Sequence, residues 1–333
     1  MTAHASGRTA YNAISKSHPM PKPTKARPKP WWRTYAAELL IVIAGLVAAN
    51  LIFIAKAFRQ TNTVNPESAG QLGAFVGGYV GAIFALIGVV LLFSTLRGQR
   101  RASELNNFET KYFELIKMHR DNVAELELQE ASGRKLFVLL IREMRCILQI
   151  VREIAERSNE QLTQQQALRV AYYCLFFGVG PNSSRMLRMS LSTFNAEFIG
   201  AIERELDKSE TKERVRKERK FGYLPFEGHQ SRLGHYYRHL YQMVRYVDQQ
   251  TIEINKYEYV KTIRAQLSTH EQALLLVNSL TPIGHNWWRK ALIVDYRLVK
   301  NIRRDFFDSS TELDTSTLFE AGYFEWEELD GAV

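Results

Sequence analysis

The sequence predicts an all-α protein: an N-terminal two-helix transmembrane hairpin followed by a helical cytosolic domain. Three observations predict it. Leu72 to Leu96 holds no charged residue and no proline, and Ala36 to Ala55 is a second apolar run whose only charge is Glu38. Beyond residue 96, apolar residues recur every three or four positions, with no run of strand-like alternation.

A helix rises about 1.5 Å per residue, so 36–55 and 72–96 are each long enough for a hydrocarbon core of about 30 Å. In lipid a helix satisfies its backbone amides within the segment. A soluble helix of this length would show a polar face, and neither run does. The connector 56–71 is short and polar, with Asn62, Asn65, Pro66 and Gly70 as turn formers. Gly73, Gly77 and Gly81 repeat at four-residue spacing in the second span. Such a row lets helix backbones approach closely, within one hairpin or between self-associating copies.

Charge sets the topology. The net charge is +9, and residues 1–35 carry seven Lys/Arg and no Asp/Glu. In this tail Pro19, Pro21, Pro23, Pro28 and Pro30 alternate with Lys22, Lys25, Arg27 and Lys29, the pattern of a disordered, extended segment. Trp31, Trp32 and Tyr35 suit the headgroup layer. The first apolar run exceeds the length of a signal-peptide core. Arg97, Arg100 and Arg101 follow the second span, and only Lys56 and Arg59 lie between the two. Basic residues stay inside, so both termini are expected in the cytosol. Residues 97–333 are only +2, so the basicity points to a lipid bilayer and to no specific nucleic acid.

In the cytosolic part, Phe108, Tyr112, Leu115, His119, Val123 and Leu126 continue the second span as an amphipathic helix that would couple the domain to the membrane. Ser132-Gly133 breaks it. Leu136, Leu140, Ile147, Val151 and Ile154 form one face of the next helix. A third, about 163–177, ends at Gly178-Val179-Gly180-Pro181. A fourth runs from Asn182 through Leu191, Phe194, Phe198 and Ile202. Residues 207–220 are charged, giving either a solvated helix or a loop. Leu233, Tyr237, Leu240, Val244 and Val247 mark a fifth helix. A sixth covers about 257–267, and a seventh about 269–280, capped by Thr269 with Gln272 at its third position. One or two more span about 287–307. The folded domain is thus 97–304. The tail 305–333 holds nine acidic residues and no basic one; a solvated, poorly ordered end is expected over docking on the basic 212–220 run. Cys146 and Cys174 sit in apolar helical patterns as core thiols.

No phosphate-binding loop, CxxC pair or HExxH motif is present. His119-Arg120-Asp121-Asn122 has the letters of a kinase catalytic loop, but it lies inside an amphipathic helical pattern. His235 and His239 are one turn apart yet lack a third ligand, so no metal site and no cofactor are expected. Arg232, His235, Arg238 and His239 give the fifth helix a polar face suited to a ligand or partner. Arg264 and His270 have the Arg-x5-His spacing that resembles HEPN ribonucleases, where such a pair activates the RNA 2′-hydroxyl. Arg232 and His239 satisfy a similar spacing, so catalysis is the lesser reading.

FVGGYVGAIFALIGVVLLFSTL with Phe108–Leu115 and His119–Val123, then Gly228–Tyr241, then Arg264–Ser268 with Glu271 and Asn278, follow one another in order over most of residues 70–285. In these blocks the chain resembles the AbiC-like phage abortive-infection proteins. The resemblance implies bacterial anti-phage defence by abortive infection, and the two spans with their flanking charges make the expected place the bacterial inner membrane, multi-pass. A phage or host protein would be its trigger. The resemblance supplies no catalytic residue set.

Overall fold

The computed structural model describes residues 66–129, 131–180 and 183–330, with scattered residues between 40 and 64. The expected basic tail 1–35 lies outside the described residues, as does most of the expected first span, 36–55. Of that span, residues 43–45 are helical, and Gly45 lies against the Phe84 ring. The chain divides into two compact units, Met1–Leu96 and Arg97–Val333.

In the first unit a two-residue antiparallel ladder pairs β1 (Arg59–Gln60) with β2 (Thr63–Val64). Helix α1 (Pro66–Phe75) starts six residues before the predicted 72 because Pro66 suits a first helical turn. A π-helical turn, Val76–Val80, leads into α2 (Gly81–Ala124). The Gly81 N–H donates to Val76 O, a wider turn that contains the Gly77-Gly78 pair. Gly70–Ala124 is the one helix among the described residues long and apolar enough to cross a membrane, and none of its apolar window is buried.

The second unit is mostly helical. The last part of α2 buries Phe108, Tyr112, Ile116, His119 and Val123. A short ladder, β3 (Glu127–Leu128) with β4 (Ala131–Ser132), turns the chain. Helix α3 (Arg134–Arg157) buries Leu136, Phe137, Leu140, Ile147 and Val151, the face its period predicts. It packs on α4 (Gln164–Phe177), α6 (Ala196–Asp207) and α10 (Thr269–Ser279). Helices α4 and α10 are buried on nearly every face, which a helix tolerates only at the centre of a domain.

Four expectations need correction. The predicted fourth helix is two, α5 (Ser184–Ser190) and α6. Asn195 breaks it by capping α6, its Oδ1 accepting from Glu197 N at 2.8 Å. The charged run is no correction: it takes the helical of its two expected forms, as α7 (Ser209–Arg219), with Lys212 paired to Asp207 at 3.0 Å. The cap of α10 is Ser268, with Glu271 completing the capping box; Thr269 and Gln272 were one residue out of register. Residues 287–307 hold only two single turns, α11 (Asn286–Arg289) and α12 (Leu292–Asp295), cut by left-handed residues Ala291 and Arg297.

The acidic tail is the fourth correction. It folds onto the core, burying Phe307, Leu313, Phe319, Tyr323 and Phe324. Its aromatic content outweighs its charge: burying one such ring stabilises by about 1.5–3 kcal/mol. Glu312 pairs with Arg145 of α3 at 2.7 Å, and the Tyr323 hydroxyl donates to Ile293 O at 2.6 Å. The tail ends in α13 (Glu325–Asp330).

Helix α8 (Gln230–Asp248), followed by α9 (Lys256–Arg264), enters through a backbone crossing. Gly178 and Gly228 both have positive φ, and a Cβ on Gly228 would collide with the Phe177 carbonyl. Replacing Gly228 by Ala is expected to destabilise the second unit by about 3 kcal/mol or more. Chemical denaturation of the solubilised protein, followed by circular dichroism, measures this.

Candidate functional site

Helix α8 places Leu233, Tyr236, Tyr237, Leu240, Val244 and Val247 inward and leaves Arg238 and His235 exposed. Its position is fixed by buried polar contacts. Glu143 of α3 is fully buried. Its carboxylate accepts from the Tyr223 hydroxyl at 2.6 Å and Phe226 N at 2.7 Å, and meets His229 Nε2 at 3.0 Å. Burial would raise the pKa of Glu143, but the histidine and these donors together hold it below the usual value. The His229 N–H closes onto the Leu175 and Phe176 carbonyls at the end of α4, which have no intrahelical partner there.

One further contact pins the helix, and another ties its neighbours α4 and α10 together. The Tyr236 hydroxyl donates to Glu271 Oε1 at 3.1 Å, and Glu271 Oε2 accepts from Ser268 N at 2.7 Å. Burial and the Glu271 carboxylate push the Tyr236 hydroxyl pKa well up. Asn278 Nδ2 donates to the Tyr172 hydroxyl at 2.7 Å.

Between the end of α4, α5, α8 and the 278–287 segment lies a cleft of about 800 Å³. Its walls include Phe177, Tyr241 and Trp287, and its rim His235 and Arg238. Tyr241 and Trp287 meet edge to face at 5.0 Å. Tyr237 lines it too, its buried hydroxyl without a well-formed hydrogen bond.

The sequence-predicted polar face is thus split. His235 and Arg238 share the cleft. Arg232 is tied to β3, its Nε donating to Glu127 O at 2.9 Å, and lines a smaller depression of about 300 Å³ with Asn122 and His235. His239 stacks on His119 of α2 at 5.9 Å, and none of the four ring nitrogens has a hydrogen-bond partner. Arg264 does not face His270. It donates to the Tyr296 and Arg297 carbonyls at 3.3 and 3.0 Å, while the His270 ring lies against Phe306 at 5.2 Å. Neither residue lines a described cavity. A Cβ on Gly73 or Gly77 would meet nothing within 4 Å, and one on Gly81 only Val76 O at 3.6 Å. No group of His, Cys, Asp and Glu among the described residues is placed to hold a metal ion. The residues that sequence reasoning missed are Phe177, Tyr237, Tyr241 and Trp287. They read as core aromatics, and only the tertiary fold turns them to one space.

Residues 228–307 match the family described as putative phage abortive infection protein. Over this segment the chain is AbiC-like. The match begins at the Gly228 crossing and runs through α8 to α12, ending at Phe307. It is narrower than the resemblance in the motifs, since residues 70–227 lie outside it. No curated protein and no solved structure matches the chain. The AbiC-like segment supplies His235, Arg238, Tyr241, Asn278 and Trp287 of the cleft, and α4 and α5 supply Phe176, Phe177 and Met186.

The buried histidine pair makes a pH-dependent prediction. Burial, then the His239 and Arg134 charges, lower the His119 pKa from 6.5 to about 4. The unfolded chain therefore binds a proton, between those values, that the folded chain refuses. Stability is fully present above pH 6.5 and falls as the pH drops towards 4, by roughly 3 kcal/mol from this group. His119→Phe should flatten that acid-side loss, measured by urea denaturation across this range.

Proposed function

We propose that the protein acts in bacterial anti-phage defence by abortive infection. In this reading the helical unit detects infection at the α8 cleft, and the apolar helix carries the response to the inner membrane. One observation carries the reading: most of the cleft's lining belongs to the AbiC-like segment. A cleft of this size with aromatic walls and a few converging polar groups is the usual form of a binding site.

The membrane part rests on the apolar helix Gly70–Ala124, none of whose apolar window is buried. The chain would lie in the inner membrane as a hairpin with both termini in the cytosol, as the flanking charges favour. The open row at Gly73 and Gly77 offers a contact for copies of the hairpin. Clustering along it would disturb the membrane and stop the infected cell. Helix α2 holds residues of both units in one element, which gives the response a covalent route. A phage or host product is the trigger.

Arg238→Glu reverses a rim charge at an exposed position, so the fold should survive. Cells expressing this variant should lose phage protection at unchanged protein abundance, and their membrane potential should stay intact during infection. The wild type should depolarise while its RNA remains whole. Full protection by Arg238→Glu would remove the cleft from the mechanism.

A further inference from the structure

We propose that the α8 cleft binds a nucleoside phosphate, a ligand with a flat ring and an anionic group. The inference rests on the reading of this cleft as the sensing site and names the chemistry of what it takes. Its walls supply ring surfaces from Phe177, Tyr241 and Trp287. Gly234 opens the α8 backbone to the space between them; a Cβ there would touch only the Phe176 ring, at 3.8 Å. Every base has a face that stacks on such surfaces.

The charge at the mouth has one sign. Arg238 and His235 lie on the rim, and no carboxylate lines the cleft. A planar guanidinium matches phosphate oxygens two at a time. Gln230, Asn278 and Asn286 add amides that can meet the edge of a base. The volume, about 800 Å³, lies within the range of sites for small organic ligands. An inorganic anion would leave the aromatic walls unfilled, and an apolar ligand would leave Arg238 without a partner.

The test uses the full chain in nanodiscs of phosphatidylcholine, titrated calorimetrically with ATP, GTP, CTP, UTP and the four monophosphates in turn. Inorganic phosphate is the competitor. At least one nucleotide should saturate, with binding that weakens as salt rises. Arg238→Gln should weaken it about tenfold or more, the loss of a charge-assisted contact. Gly234→Met should abolish it by filling the space between the rings, with thermal melts showing that both variants remain folded. The proposal is overturned if no nucleotide saturates, if both variants bind as the wild type does, or if inorganic phosphate competes as well as a nucleotide. Plaque assays separate this from the functional reading. Loss of protection in Arg238→Glu without nucleotide binding keeps the sensing site and removes the ligand class. Binding through Arg238 with protection intact keeps the ligand class and removes the sensing role.

Discussion

A carboxylate sealed from water has to be met by donors, and Glu143 is met by three. Its fully buried side chain gathers Tyr223, the Phe226 amide and His229. These lie on one loop, so the requirement of a single charge fixes the path of residues 223–229. That path ends where α8 begins. The same loop gives its His229 amide to the end of α4 and needs glycine at 178 and 228 for the two backbones to cross. The distance between α4 and α8, and therefore the width of the cleft between them, follows from satisfying one buried charge. Removing one partner of such a group is far more disruptive than replacing the whole set.

The helices that face the core on one side were legible because their periodicity is a direct record of burial. Leu136, Leu140, Ile147 and Val151 on α3 and Leu233, Leu240 and Val244 on α8 are examples. The breaks were less legible. Asn195 looks like any polar residue of a helix until its side chain is seen capping α6. Ser268 and Thr269 are both good caps, and only the reach of Glu271 decides between them. The tail misled because charge and aromatic content point opposite ways; Phe319, Tyr323 and Phe324 decide it by stacking together and burying.

For the candidate site, sequence marked the half that α8 itself carries. His235 and Arg238 stand out as polar residues on an amphipathic helix. The ring walls did not, because Phe177, Tyr241 and Trp287 are far apart in sequence and each has the look of core. Arg264 shows the limit of spacing as a signal. Its spacing to His270 resembles a catalytic pair, but spacing cannot report that the guanidinium is already spent on two carbonyls. Function has to be argued from the site.

The apolar helix adds a constraint of another kind. Val90, Leu92 and Phe93 are each more than half exposed in a window with no buried residue. Water would charge about 25 cal/mol for each Å² of such surface, and contiguous apolar area of this extent marks a surface that meets something else. Length and the absence of charge fit lipid. The second unit, by contrast, has an internal solution for its own apolar residues, from Phe108 to Phe324. Thus the two parts of the chain ask for different solvents. Within one helix, α2, the demand changes: its early residues leave apolar side chains bare, and its later ones bury Phe108, Tyr112 and His119 in protein. In the proposed reading, a change of state in the second unit would act on the buried end of a helix whose other end is suited to lipid, which is the physical argument for detection and response in one chain.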